Sequence, residues 1–168
     1  MSTEIISKPY RVLSGEGLAN FWWKTGRMTV KAGGAETGHA FAQIENFDPR
    51  GTATPLHVHH NEDEAFYIVE GEITVLVGGE RIDLGAGDYL FAPRDIPHTT
   101  IVTSESARYI TTVSPAGLED LFVELGVPVT DGEQPMEAVL PPMPKVVRRF
   151  AAYGVEILGP PPSLSDLS

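Results

Sequence analysis

His57 and His59 stand two residues apart, with Glu64 and His98 farther along the chain. On an extended strand the two-residue spacing puts both imidazoles on one face and Val58 on the other. Glu64 opens the next extended run and shares parity with Phe66 and Ile68, while Ala65, Tyr67 and Val69 face the opposite way. His98 follows Pro97 at the start of a strand and shares parity with Thr100 and Val102. Brought together, three neutral imidazoles and one carboxylate make a borderline-hard N₃O set with room left for water or substrate. Such a set suits Fe, Mn, Ni, Co, Cu or Zn, and the ligands alone do not choose between them. A single strand histidine is more often a surface or hydrogen-bonded core residue, and Glu62-Asp63-Glu64 alone reads as a solvated loop. The signal is the combination.

The neighbours of this set divide by parity. His60 has the wrong parity to join His57 and His59, which assigns it to the rim or surface. Asp63 could replace Glu64 only if the loop shifted register by one residue. His39 falls on another expected strand, and its orientation is not readable. Phe66 and Ile68 should make the surroundings of a metal apolar, with Phe91 on a following strand and Thr100 beside His98 as further pocket candidates. An apolar cavity with a few polar groups suits a flat aromatic or another small organic ligand. A metal with open positions could chelate an enol or hydroxy-carbonyl group and lower its pKa. Glu64, as ligand, could also accept that proton as the catalytic base.

These residues need strands to position them. Short β-branched and aromatic runs dominate from about Phe21 to Val113, including Phe21 to Trp23, Met28 to Lys31, His39 to Ile44, Ala65 to Val69 and Ile73 to Val77. Arg81 to Leu84, Tyr89 to Ala92, His98 to Val102 and Arg108 to Val113 continue the series. Gly33-Gly34, Asp48 to Gly51, Gly78-Gly79 and Gly85 to Gly87 punctuate it. Many short strands without intervening helices indicate an antiparallel sandwich or barrel. Gly78-Gly79 is the clearest hairpin, since two glycines accept the positive φ angles of a tight primed turn.

Helix signals come later. Ser114 is the expected N-cap, Pro115 suits the first helical position, and Leu118, Leu121, Phe122 and Leu125 share one face before Gly126. Lys145 to Tyr153, ended by Gly154, reads as a second short helix. More than half of the 14 prolines lie from Pro128 onward, which excludes a second sheet domain there. The chain therefore divides into an N-terminal arm (1–20), a barrel with the first helix (21–126), and a proline-rich extension (127–168) that wraps the barrel or a partner subunit.

A length of 168 residues fits one domain whose core needs no disulfide, and the chain has no cysteine. The absence of cysteine and of a visible signal peptide makes a cytoplasmic location the expectation. No apolar run approaches the roughly 18 residues of a membrane span. Twelve Lys+Arg against 23 Asp+Glu give a net charge of −11, which repels phosphate backbones and excludes a nucleic-acid partner.

The motif spacing resembles the two signatures of the cupin superfamily. The first reads Gly51, five residues, His57, one residue, His59, four residues, Glu64, six residues, Gly71. The second reads Gly87, five residues, Pro93, then Ile96-Pro97-His98, with Asp95 where the family usually has glycine and Val102 where it often has asparagine. Aspartate tolerates a left-handed backbone, so the turn should survive. Thr37 to Ala42, Pro55 to His60 and Glu62 to Tyr67 further resemble small one-domain cupins similar to quercetin 2,3-dioxygenase. The resemblance implies an all-β double-stranded β-helix (a jelly-roll barrel) with one or two short C-terminal helices. It also implies one divalent metal ion on His57, His59, Glu64 and His98. In the family this ion binds a flavonol and O₂, the ring is cleaved with loss of carbon monoxide, and the glutamate takes the hydroxyl proton. The expected function is such a dioxygenase, with a small organic substrate and O₂ as partners. The alternatives are a cupin isomerase or epimerase without O₂, or a non-enzymatic small-molecule binder. Lys31, Arg81 and Arg108 are the few cations near the motifs that an epimerase could use. By analogy with the family, a homodimer is expected.

Overall fold

A computed structural model of the chain describes residues 8–130 and 141–168. The first seven residues of the expected arm and residues 131–140 of the expected extension lie outside the described residues. Among the described residues, twelve strands form two antiparallel sheets that face each other. In chain order they are β1 (Ala19–Trp23), β2 (Gly26–Ala32), β3 (Ala42–Pro49), β4 (Leu56–His59), β5 (Asp63–Glu70) and β6 (Glu72–Val77). β7 (Glu80–Gly85), β8 (Tyr89–Ala92), β9 (His98–Val102), β10 (Ser106–Ser114), β11 (Val127–Pro128) and β12 (Val155–Gly159) follow. The larger sheet runs β11-β1-β2-β3-β10-β5-β8, and the smaller runs β12-β4-β9-β6-β7. This is the expected all-β jelly-roll architecture.

Strand alternation decides what faces inward. On β5 Glu64, Phe66 and Ile68 are buried while Tyr67 is exposed. On β3 the buried set is Ala42, Ile44, Asn46 and Asp48, and on β10 it is Ala107, Tyr109, Thr111 and Val113. The register aligns these into rows, because Glu64 pairs with Val113, Phe66 with Thr111 and Ile68 with Tyr109. One half of the barrel is filled by Phe66, Ile68, Ile73, Val75, Leu84 and Val102. Gly78 and Gly79 take φ of 58° and 85° between β6 and β7, as a two-residue primed turn requires.

Among the described residues there are three α-helices, α1 (Gly34–Thr37), α2 (Leu118–Leu125) and α3 (Met143–Ala152), and a short 3-10 helix at Leu164–Leu167. α2 packs Leu118, Leu121 and Leu125 against Ala42, Val113 and Val155. Its start corrects the sequence reading: Ser114 ends β10 and donates its hydroxyl to the Ala40 carbonyl, so Gly117 takes the N-cap position instead. His39 is also not on a strand. It has φ 61° just after α1, and β3 begins at Ala42 and runs to Pro49. Part of the proline-rich extension joins a sheet. After α3, Gly154 turns the chain with φ 80° and β12 adds itself to β4 at the edge of the smaller sheet. No described helix is long and apolar enough to cross a membrane.

Candidate metal centre

The two sheets bring the four expected residues together. His57 and His59 come from β4, His98 from β9 and Glu64 from β5 of the opposite sheet. His57 and His98 are direct cross-strand partners. One donor atom from each of the four residues lies within 4.8 Å of all the others. His98 Nε2 is 2.8 Å from Glu64 Oε2, His59 Nε2 is 3.3 Å from the same oxygen, and His57 Nε2 is 3.1 Å from His59 Nε2. His59, Glu64 and His98 are buried, and His57 is partly exposed.

The other ring nitrogen of each imidazole is committed to an acceptor. His57 Nδ1 reaches the Pro55 carbonyl at 2.7 Å, His98 Nδ1 the Ile96 carbonyl at 3.1 Å, and His59 Nδ1 the Glu62 carboxylate at 3.3 Å. In a neutral imidazole a protonated Nδ1 leaves Nε2 as a lone-pair donor, so these contacts aim three lone pairs at one point. Two lone pairs that face each other across 3.1 Å, as at His57 and His59, repel unless a cation lies among them. The donor set therefore fits a divalent transition metal, and its N₃O composition leaves the metal's identity open.

Without a metal, protons must serve. Burial disfavours a charged His59, but its hydrogen bonds with Glu62 and Glu64 outweigh that and raise it to about 9. Burial and the neighbouring His98 lower His57 to about 4. Burial also favours a neutral Glu64, yet the imidazoles of His59 and His98 hold the carboxyl well below the usual carboxylate range. The centre is built around one anionic carboxylate.

A cavity of about 230 Å³ opens from His57, His59 and Glu64. Its walls are mainly apolar and include Met28, Ile44, Phe66, Phe122 and Phe150. Phe66 and Thr100 line it. Ile68 is fully buried in the packed half of the barrel instead. Phe91 requires correction, because it pairs with outward-facing Ala65 and is 53% exposed on the edge strand β8. His60 sits on the rim between Asp95 and Glu156, and Asp63 binds Arg94 at the surface. Asp95 takes the expected left-handed conformation, with φ 65°. The sequence reading gives no role to Glu62, which is buried and orients His59. Its signal was a carboxylate three residues beyond a ligand histidine.

Residues 43–113 match the Cupin domain family. The barrel is a cupin domain. This cupin is 31% identical over 127 residues to quercetin 2,3-dioxygenase of Bacillus subtilis, across 76% of this chain and 37% of that protein. It is 30% identical over 105 residues to quercetin 2,3-dioxygenase of Aspergillus japonicus, across 58% of this chain and 30% of that protein. The cupin chain thus spans about a third of the length of these curated relatives. Among solved structures it superposes on KdgF from Halomonas sp. with a TM-score of 0.60 at 19% identity, covering 67% of this chain and 99% of that one.

Proposed function

We propose that this cupin is a metal-dependent dioxygenase that opens an oxygenated aromatic such as a flavonol. The observation that carries the reading is the convergence of three imidazole Nε2 atoms and Glu64 Oε2 at a largely apolar cavity. The likeness to two quercetin 2,3-dioxygenases supports the same choice of substrate class. His57, His59, Glu64 and His98 would hold the ion, which supplies Lewis acidity toward a chelating pair of ligand oxygens.

The protein's own part is positioning and proton transfer. Phe66, Ile44 and Met28 offer apolar faces to aromatic rings and keep water away from them. Glu64 is ionised at rest, so its carboxylate can accept the hydroxyl proton of an arriving enol. Glu62 holds the His59 ring through the contact of its carboxylate with Nδ1. In the overall reaction a flavonol and O₂ give the ring-opened ester and carbon monoxide, with O₂ as the oxidant. Of the cations expected to serve a sugar-type isomerase, Lys31, Arg81 and Arg108 pair with Glu45, Asp83 and Glu70 and do not line the cavity, which leaves Lys24 as the cation on its wall.

The test is turnover of a flavonol panel by protein loaded in turn with Fe, Mn, Co and Ni, following O₂ uptake and carbon monoxide release. Matched consumption of O₂ and flavonol with at least one metal, lost in Glu64→Gln, is the expected result. Absence of O₂ uptake with every metal overturns the reading.

A further inference from the structure

The same cavity carries a second group of ionisable side chains that the metal centre does not use. Asp48 on β3 and Tyr109 on β10 are each 7% exposed, and Tyr109 Oη donates to Asp48 Oδ2 at 2.6 Å. Lys24, in the turn between β1 and β2, donates from Nζ to the Ala53 carbonyl at 3.0 Å. All three residues line the cavity. Tyr109 pairs with Ile68, four residues beyond Glu64 on the same strand. At roughly 3.3 Å per residue the backbone positions of Glu64 and Ile68 lie about 13 Å apart along β5, so the strand register sets the two polar groups at different levels of the cavity.

The pair is held in place and costly to bury. Gly26 leaves bare the space that Asp48 occupies, and a β-carbon there would collide with Oδ1. Burial raises the Asp48 carboxyl to about 6 even though the Tyr109 hydroxyl and the Lys24 ammonium oppose that rise. Replacing buried ionic groups with apolar residues of similar volume is often neutral or stabilising. Ionisable groups kept under such conditions in a cavity are candidates for a functional site.

We propose that Asp48, Tyr109 and Lys24 form a subsite that takes a phenolic hydroxyl on the ring of the ligand remote from the metal centre. This rests on the reading of the cavity as the site of an oxygenated aromatic, and it narrows the substrate class to polyphenols with hydroxyls at both ends. A phenol both donates and accepts. Asp48 supplies an acceptor, and the Lys24 ammonium has two N–H donors beyond the one directed at Ala53. Between the two ends Ile44 and Phe66 offer apolar faces, which suit aromatic rings.

The experiment titrates Ni-loaded protein, without O₂, with 3-hydroxyflavone and with its 4′- and 7-hydroxylated derivatives. At least one added hydroxyl should tighten binding about tenfold in the unmodified protein. Tyr109→Phe and Lys24→Met should bring that ratio close to one while 3-hydroxyflavone itself still binds. If 3-hydroxyflavone binds and neither hydroxyl improves it, or if the gain survives in both variants, the subsite is overturned and the aromatic reading stands. If none of the three compounds binds, the aromatic reading falls and the subsite with it. The comparison in unmodified protein stays decisive if a variant does not fold.

Discussion

Glu62 sets the direction of the His59 ring, and its removal tests how far a neighbour controls the ion. Glu62→Ala leaves His59 Nδ1 without its acceptor. We expect metal affinity to fall about 10- to 100-fold with the fold retained, read by chelator competition and circular dichroism. Asp48 makes a prediction of the opposite sign for stability. Its folded pKa of about 6 lies above the ordinary 3.8, so the folded state binds the proton more tightly. The resulting stability is fully present below pH 3.8 and is lost as pH rises through about 6. Asp48→Asn should therefore be the more stable form at pH 8, by an amount of the order of 3 kcal/mol, and lose that advantage below pH 4. Urea denaturation at the two pH values checks it. The grouping of the four candidate ligands was legible from spacing, because parity and residue type converge on His57, His59, Glu64 and His98, whose donor atoms the structure brings within 4.8 Å of one another. Asp48, Tyr109 and Lys24 were not, because three separate segments bring them together and no short pattern links them.

Elements differ in how much of their form is local. The β6–β7 hairpin needs only two consecutive glycines, and the sequence alone places it. α1 spans four residues, too few for a helical period, so the sequence shows only the Gly33-Gly34 turn there, and the strand expected from His39 begins instead at Ala42. Phe91 fails for a related reason: the register of β8 against β5 decides which face it occupies, and register is not visible in β8 alone. β12 is short and lies in a proline-rich stretch, yet it pairs with the strand that carries His57 and His59. Gly154 is the hinge into it. Alanine there adopts an unfavourable left-handed conformation, costing about 1–2 kcal/mol, and its β-carbon would meet the Asn61 side chain. Gly154→Ala should lower Tm by several degrees and reduce metal occupancy, measured by differential scanning calorimetry and elemental analysis.

At the scale of the whole molecule, the ion would tie the sheets together, since Glu64 belongs to one and the histidines to the other. Free metal at about 100 times its Kd should add about 2.7 kcal/mol, because only the folded chain gathers all four ligands. For a chain of this size that is a rise in Tm of about 5–10 °C, reversed by a chelator. The sequence reading reaches the barrel and its two facing sheets, because alternation and turns are local signals. It misses the closure of the smaller sheet by the last strand, which is a contact between distant segments. That closure has a consequence for the order of events during synthesis. Translation runs from the N-terminus, so β4 is made well before the partner that flanks it at Val155–Gly159. Until α3 and β12 have left the ribosome, His57 and His59 sit on a strand with one side unpaired. A nascent chain arrested before β12 should therefore hold an ion at the four candidate ligands more weakly than the chain that includes β12, as elemental analysis of the two would read.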